Sequence, residues 1–195
     1  MADRPHLTYR TVFSTPWFTI EESAPLEHAT GAYYRMTGPD GVICLPLTVA
    51  GDIVMVRQYR PSLNMETLEI PAGAIDGTEP PLEASQREVL EETGYHCREV
   101  HSLGTGRFYP NRLIQREFMF LGLGAEPRIR ADVEPGLATV LMPRKQFLAM
   151  ARNVEIDQTA IYFLLGMVTA RFGVDLLRAP IEEIHERVRL DATTG

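Results

Sequence analysis

The stretch PAGAIDGTEPPLEASQREVLEETGYH, residues 71–96, decides how this 195-residue chain is read. It carries Asp76, Glu79, Glu83, Glu88, Glu91 and Glu92, is punctuated by Pro80-Pro81, and closes on Gly94. Both prolines suit a first helical turn, where a missing N–H costs little, and Gly94 suits the left-handed residue that stops a helix. A helix is therefore expected over EPPLEASQREVLEET, with Thr78 as its N-cap. At about 100° per residue, Glu88, Glu91 and Glu92 share an arc of about 100°, with Leu82 and Val89 on the adjoining apolar stripe. Arg87 is expected off that arc, towards the opposite side. Like charges three and four residues apart repel by a few tenths of a kcal/mol per pair, so the three carboxylates require a partner. A solvated acidic surface is the commonest fate of such a run. The alternative is a hard divalent cation such as Mg²⁺, which takes carboxylates, waters and phosphate oxygens.

The rest of the chain frames this helix. Hydrophobic residues make up 45% and charged residues 23%, ordinary values for a soluble globular protein, and no apolar run approaches the roughly 18 residues of a membrane span. The N-terminus MADRPHLTYRTVF has no apolar core of a secretory signal, so the cytoplasm is the expected location. Cys44 and Cys97 sit among apolar neighbours and suit burial in a reducing compartment. His96, Cys97 and His101 lack a second pair at zinc-finger spacing. A net charge of -7 argues against a nucleic-acid backbone as partner. All but one of the 19 basic residues are arginine, the exception being Lys145, a bias that suits planar phosphate contacts or simply reflects genome composition.

Residues 8–22 and 32–37 read as edge strands and 42–61 as two strands folded at Ala50-Gly51-Asp52. Residues 67–73 read as a short strand, and 116–124 and 137–143 as buried strands. RKQFLAMARN and DQTAIYFLLGMVTARFG carry helical spacing. Strands alternating with a few helices give an α/β layered domain. We divide the chain into a β-rich N-terminal extension (1–40) suited to dimerisation, a principal domain (41–172) and a C-terminal tail (173–195).

Counting from Gly73, five residues precede Glu79 and seven more precede Arg87-Glu88; Val89, Leu90, Glu91-Glu92, Thr93 and Gly94 follow. This resembles the Nudix box at its glycine, glutamate, arginine-glutamate, apolar, paired-glutamate and glycine positions. One departure is Tyr95, where the family usually has an aliphatic residue. The resemblance implies an α/β/α sandwich around a mixed sheet. It also implies hydrolysis of a nucleoside diphosphate linked to another group, with Mg²⁺ or Mn²⁺ as cofactor. Glu88, Glu91 and Glu92 match the family's metal ligands, joined by the backbone carbonyl at Ala72, while Gly73, Glu79, Arg87 and Gly94 match supporting positions. Cations there would position the diphosphate and acidify water.

Ahead of the box, Arg57-Gln58-Tyr59-Arg60 and Glu69-Ile70-Pro71-Ala72-Gly73 resemble the ADP-ribose pyrophosphatase branch. That likeness implies a small nucleoside diphosphate sugar as substrate and a homodimer. It makes Arg57 and Glu69 candidates for the phosphate and terminal sugar, although Arg57 also suits a strand-face ion pair. Pro110 stands fifteen residues beyond Tyr95, as in family members acting on ADP-ribose, but Asn111-Arg112 follows where glycine is usual. Arg112 can itself reach phosphate. In ADVEPG, Asp132 and Glu134 are candidates for the acidic residue that orients water, with Glu134 favoured; a polar turn is the plainer role. Glu155 and Asp157 suit the N-terminus of the last long helix. Trp17, beside Phe18, would either stack on adenine across a dimer or fill a core. Alternatives are another substrate, such as GDP-mannose or NADH, or a non-catalytic ADP-ribose sensor. The intact box glutamates favour an enzyme.

Overall fold

The computed structural model describes residues 7–24, 31–128, 133–153 and 155–194. Asp132 lies outside them. An antiparallel sheet forms first, from β1 (Tyr9–Ser14), β2 (Thr19–Ser23) and β3 (Tyr33–Thr37). The larger sheet holds β4 (Gly41–Thr48), β5 (Ile53–Arg60), β6 (Met65–Glu69), β7 (Ala72–Ala74), β8 (Tyr95–His96), β9 (Glu99–Gly106), β10 (Glu117–Pro127) and β11 (Ala138–Met142). Helix α1 (Pro81–Thr93) interrupts the strands, and α2 (Arg144–Arg152), α3 (Ala160–Phe172) and α4 (Ile181–Thr194) follow them. The sheet path is β11-β5-β4-β10-β8, with β6 on β5, β7 on β4 and β9 on β10. Among the described strands of this sheet the β4–β10 pair is parallel and the others antiparallel, so the sheet is mixed.

Alternation along the central strands sorts side chains into two cores. Val42 and Cys44 of β4, Val54 of β5 and Phe120 of β10 meet Ala84 and Val89 of α1. The intervening Ile43, Leu45, Ile53, Met55 and Leu121 meet Phe147 of α2, Ile161 and Leu164 of α3, and Ile184 and Val188 of α4. The result is an α/β/α sandwich in which, among the described residues, the carboxylate helix is alone on one face. No helix among the described residues is long and apolar enough to cross a membrane.

Several expectations are corrected. Helix α1 begins after Pro80, which serves as N-cap without a side-chain bond, so Thr78 does not cap it. Gly94 ends it as expected, in the left-handed region at φ 72°, its N–H donating to Leu90 O at 2.8 Å. Residues 67–73 form parts of two strands because Pro71 has no N–H to continue a ladder. HCREVHSLGTG belongs to β8 and β9, a run whose alternation is broken by Gly104 at φ 130° and a register shift against β10. Cys97 is buried in core: a Cβ on Gly122 would collide with its sulfur and lie 3.3 Å from that of Cys44. Residues beyond 172 are no tail. Val174, Leu176, Ile184 and Val188 are buried against the sheet, and α4 reaches that core through a spacing its charges obscure.

The N-terminal sheet leans on the loop between β9 and β10. Met36 N–H donates to Arg112 O at 2.8 Å, Leu113 bridges Met36, and Tyr33 donates its hydroxyl proton to Asn111 O. Asp40 grips Arg116 through Nε at 2.9 Å and Nη2 at 2.6 Å.

Ile184 is fully buried. Truncation to alanine is expected to lower unfolding free energy in urea by about 2–5 kcal/mol, the range for deleting buried aliphatic groups. A loss below about 0.5 kcal/mol would show that α4 does not belong to the core.

Candidate active site

The site begins with a strand that is bonded on one side only. Ile75 N–H donates to Asp40 O at 2.9 Å and Cys44 N–H to Pro71 O at 3.0 Å. In an antiparallel ladder these bonded pairs alternate with unbonded ones, so the Ile43–Ala72 and Gly41–Ala74 pairs are unbonded. The backbone groups of Ala72 and Ala74 therefore point away from β4, towards α1. Ala72 N–H meets Glu92 Oε2 at 3.0 Å, and Ala74 O accepts from Arg87 Nη2 at 3.0 Å. Ala72 O points the same way.

Between those residues lies Gly73, and a Cβ there would collide with the Glu88 carboxylate. Glycine is required by close approach rather than by backbone angle. The box glycine thus lets Glu88 pass over the strand while Glu92 bonds to it one helical turn on.

Arg87 differs from the helical-wheel expectation. It stands four residues before Glu91 and its guanidinium turns back over the carboxylates, with Nη1 at 2.7 Å from Glu88 and 3.0 Å from Glu91. Its Nε lies 3.1 Å and its Nη2 3.0 Å from the Glu79 carboxylate. Glu79 first, then Glu88 and Glu91, raise the Arg87 pKa. Arg87 therefore neutralises part of the run and ties the loop at Glu79 to the helix.

Burial and like charge act against this. Burial is the largest cause pushing Glu92 up to about 8; Glu88 and Glu134 add to it and the Ala72 N–H opposes it. Burial likewise raises Glu88, against the pull of Arg87 and with help from Glu91 and Glu134. Glu134 faces these carboxylates because its own N–H donates to Glu91 O at 2.8 Å, docking its loop on the last turn of α1. Thr139 adds a second anchor, its Oγ1 donating to Thr93 O at 2.9 Å.

Donors at this spot are all oxygen: the carboxylates of Glu88, Glu91 and Glu92 and the Ala72 carbonyl. That set suits Mg²⁺ or Mn²⁺ and not a thiophilic metal. Among the described residues no three ligating side chains are already gathered around one point. Arg87 holds Glu88 and Glu91, and a cation would have to draw them off while Glu79 retains the arginine.

Beside this centre stands a residue the sequence reading missed. Arg60 forms a fork with Glu69, Nε to Oε1 at 2.8 Å and Nη2 to Oε2 at 2.6 Å, and Thr67 Oγ1 donates to Glu69 Oε1 at 2.6 Å. Burial alone would raise Glu69, but the bonds from Arg60 and Thr67 hold it below its ordinary value. Arg60 also feels the charge of Glu92. Alternation from Val54, which faces α1, carries Arg60 to that face, whereas Arg57 is exposed on the face of Ile53 and Met55. Among the described residues no carboxylate pairs with Arg57.

Three further candidates lie apart from the carboxylates. Pro110 is exposed in the loop between β9 and β10, and the Arg112 guanidinium stacks 4.5 Å from the Tyr33 ring centroid. Trp17 is 76% exposed at the β1–β2 turn, its N–H bonded to Thr15 Oγ1 at 3.2 Å, so it fills no core.

A sandwich whose single-sided helix lays glutamates over a glycine gap is the arrangement of one known class. Residues 38–162 match the family model for the NUDIX domain, and the chain belongs to that family. It is 42% identical over 65 residues to a methanol dehydrogenase activator of Bacillus methanolicus, covering 33% of this chain and 35% of that one. An ADP-ribose pyrophosphatase of Bacillus subtilis (strain 168) is 40% identical over 62 residues, 32% of this chain and 34% of its own. With an ADP-sugar pyrophosphatase of Mus musculus the identity is 46% over 43 residues, 22% and 20% of the two chains. The matched stretches thus span about a third or less of each relative's length. A solved structure of an ADP compounds hydrolase superposes with a TM-score of 0.72 over 86% of this chain and 94% of the other, at 20% identity, a likeness of fold.

The raised Glu92 has a consequence for stability. Its folded pKa of about 8 exceeds the ordinary 4.5, so in chelator the folded chain keeps a proton that the unfolded chain releases. Stability is full below the unfolded value and falls as pH rises towards about 8. Glu92→Gln does not titrate. In EDTA the variant should match the parent at about pH 4 in urea melts and exceed it at about pH 8.5 by a few kcal/mol. An unchanged difference between the two pH values would contradict this account.

Proposed function

We propose that the chain is a divalent-cation-dependent pyrophosphatase that cleaves ADP-ribose or a related nucleoside diphosphate sugar to a nucleoside monophosphate and a sugar phosphate. The observation that carries this is the convergence of Glu88 and Glu92 on the outward-facing backbone of Ala72 across the gap at Gly73. The names of the Bacillus subtilis and Mus musculus relatives support the substrate class.

Glu88, Glu92 and the Ala72 carbonyl would hold Mg²⁺ or Mn²⁺, with Glu91 recruited from Arg87. When bound, the cation supplies positive charge against the diphosphate and a lower pKa for water. Arg87 and Glu79 keep the loop before α1 fixed to the helix. Arg60, oriented by Glu69, offers a forked cation on the same face as the carboxylates, suited to phosphate oxygens. Glu134, exposed and anchored by its backbone, would take a proton from the attacking water. Exposed Phe13, Trp17 and Tyr34 on the N-terminal sheet support a homodimer through that sheet, with Trp17 available to stack on a base. Two free, buried thiols suit the cytoplasm.

Steady-state assays over ADP-ribose, GDP-mannose and NADH with Mg²⁺ test this reading. ADP-ribose should show the highest kcat/KM and give AMP and ribose 5-phosphate. Glu92→Gln should lower kcat by at least about 100-fold with little change in KM. Equal rates on all three substrates would overturn the substrate assignment, and an unaffected Glu92→Gln would overturn the chemistry.

A further inference from the structure

We infer that Gln158 is a positioning residue for Ala72, and through it for the cation site; this rests on the function proposed above. Ile70 is 1% exposed and sits at the corner between β6 and β7. It follows the last β5–β6 pair, Val56 with Glu69, and precedes the last β4–β7 pair, Ile43 with Ala72. Neither ladder serves its backbone. Gln158 does: its Oε1 accepts from Ile70 N–H at 2.8 Å, and its Nε2 lies 3.5 Å from Ile70 O. One side chain amide thus faces both polar groups of a buried corner residue, as a neighbouring strand would.

From Ile70 the geometry passes directly to the site. Pro71 follows with a fixed φ, and its carbonyl is taken by Cys44 N–H at 3.0 Å. Ala72 comes next, its N–H on Glu92 at 3.0 Å and its carbonyl turned the same way. Gln158 belongs to the opposite layer, two residues before the start of α3, where Ile156, Ala160 and Ile161 share the core with Ile70. The corner is held from both faces of the sandwich: Glu92 binds it from the α1 side and Gln158 from the α3 side. Releasing Ile70 would let Pro71 and Ala72 shift together and misplace the carbonyl relative to Glu88 and Glu92.

Mn²⁺ alone, followed by electron paramagnetic resonance of the free ion, reads this without turnover. Gln158→Leu should raise the Mn²⁺ dissociation constant about tenfold, the lower end for losing an outer partner of a metal ligand. Gln158→Asn, one methylene too short to reach Ile70, should do the same and serves if the leucine variant fails to fold. Gln158→Glu keeps the acceptor for Ile70 N–H and should stay within about threefold of the parent. At saturating Mn²⁺ the kcat of all three should approach that of the parent. If Gln158→Leu and Gln158→Asn melt lower yet bind Mn²⁺ as tightly as the parent, Gln158 only secures α3 and the inference is overturned. If the parent and Glu92→Gln bind Mn²⁺ alike, the cation site itself falls, and the inference with it.

Discussion

A strand hydrogen-bonded along one side must satisfy its other side elsewhere, and residues Ala72–Ala74 satisfy theirs on a helix. The bond from Ala72 N–H to Glu92 is the point from which the site is built. It exists because the β4–β7 register leaves Ala72 unbonded to Ile43, and because α1 packs on that face. Pro71 ends the preceding strand, Gly73 admits Glu88, and Glu79 with Arg87 fixes the intervening loop. Each device serves to hold helix and strand at one separation.

That separation is electrostatically costly. Glu88 and Glu92 are largely removed from water beside Glu91 and Glu134, and Arg87 offsets only part of the repulsion. A buried carboxylate pushed up to about 8 is a poor feature for stability and a good one for a site completed by a cation. Arg87 holds Glu88 and Glu91; in the proposed function a cation would take its place, while Glu79 would keep the arginine fixed.

Local punctuation was the legible part of this fold. Pro80-Pro81 and Gly94 mark the ends of α1, and the apolar runs of β4, β5 and β10 show a buried sheet, because such signals act over a few residues. The box spacing made Glu88, Glu91, Glu92 and Gly73 legible too. What depends on pairing was not. Arg57 and Arg60 lie three residues apart on opposite faces, and only the contact of Val54 with α1 tells which face bears the carboxylates. Gln158 meets Ile70 across 88 residues, a distance no periodicity crosses. Trp17 stands in solvent because Thr15 closes a turn beneath it with side-chain bonds that composition does not reveal. The spacing of Ile181, Ile184 and Val188 did carry α4, hidden among charges that make the segment resemble a tail.

Anomalous diffraction from crystals soaked in Mn²⁺ tests the central claim most directly. The account predicts a peak between α1 and β7, at about 2.2 Å from oxygens of Glu88, Glu92 and the Ala72 carbonyl, with Arg87 still on Glu79. No peak there, or peaks confined to other surface carboxylates while Glu88 stays with Arg87, would contradict it.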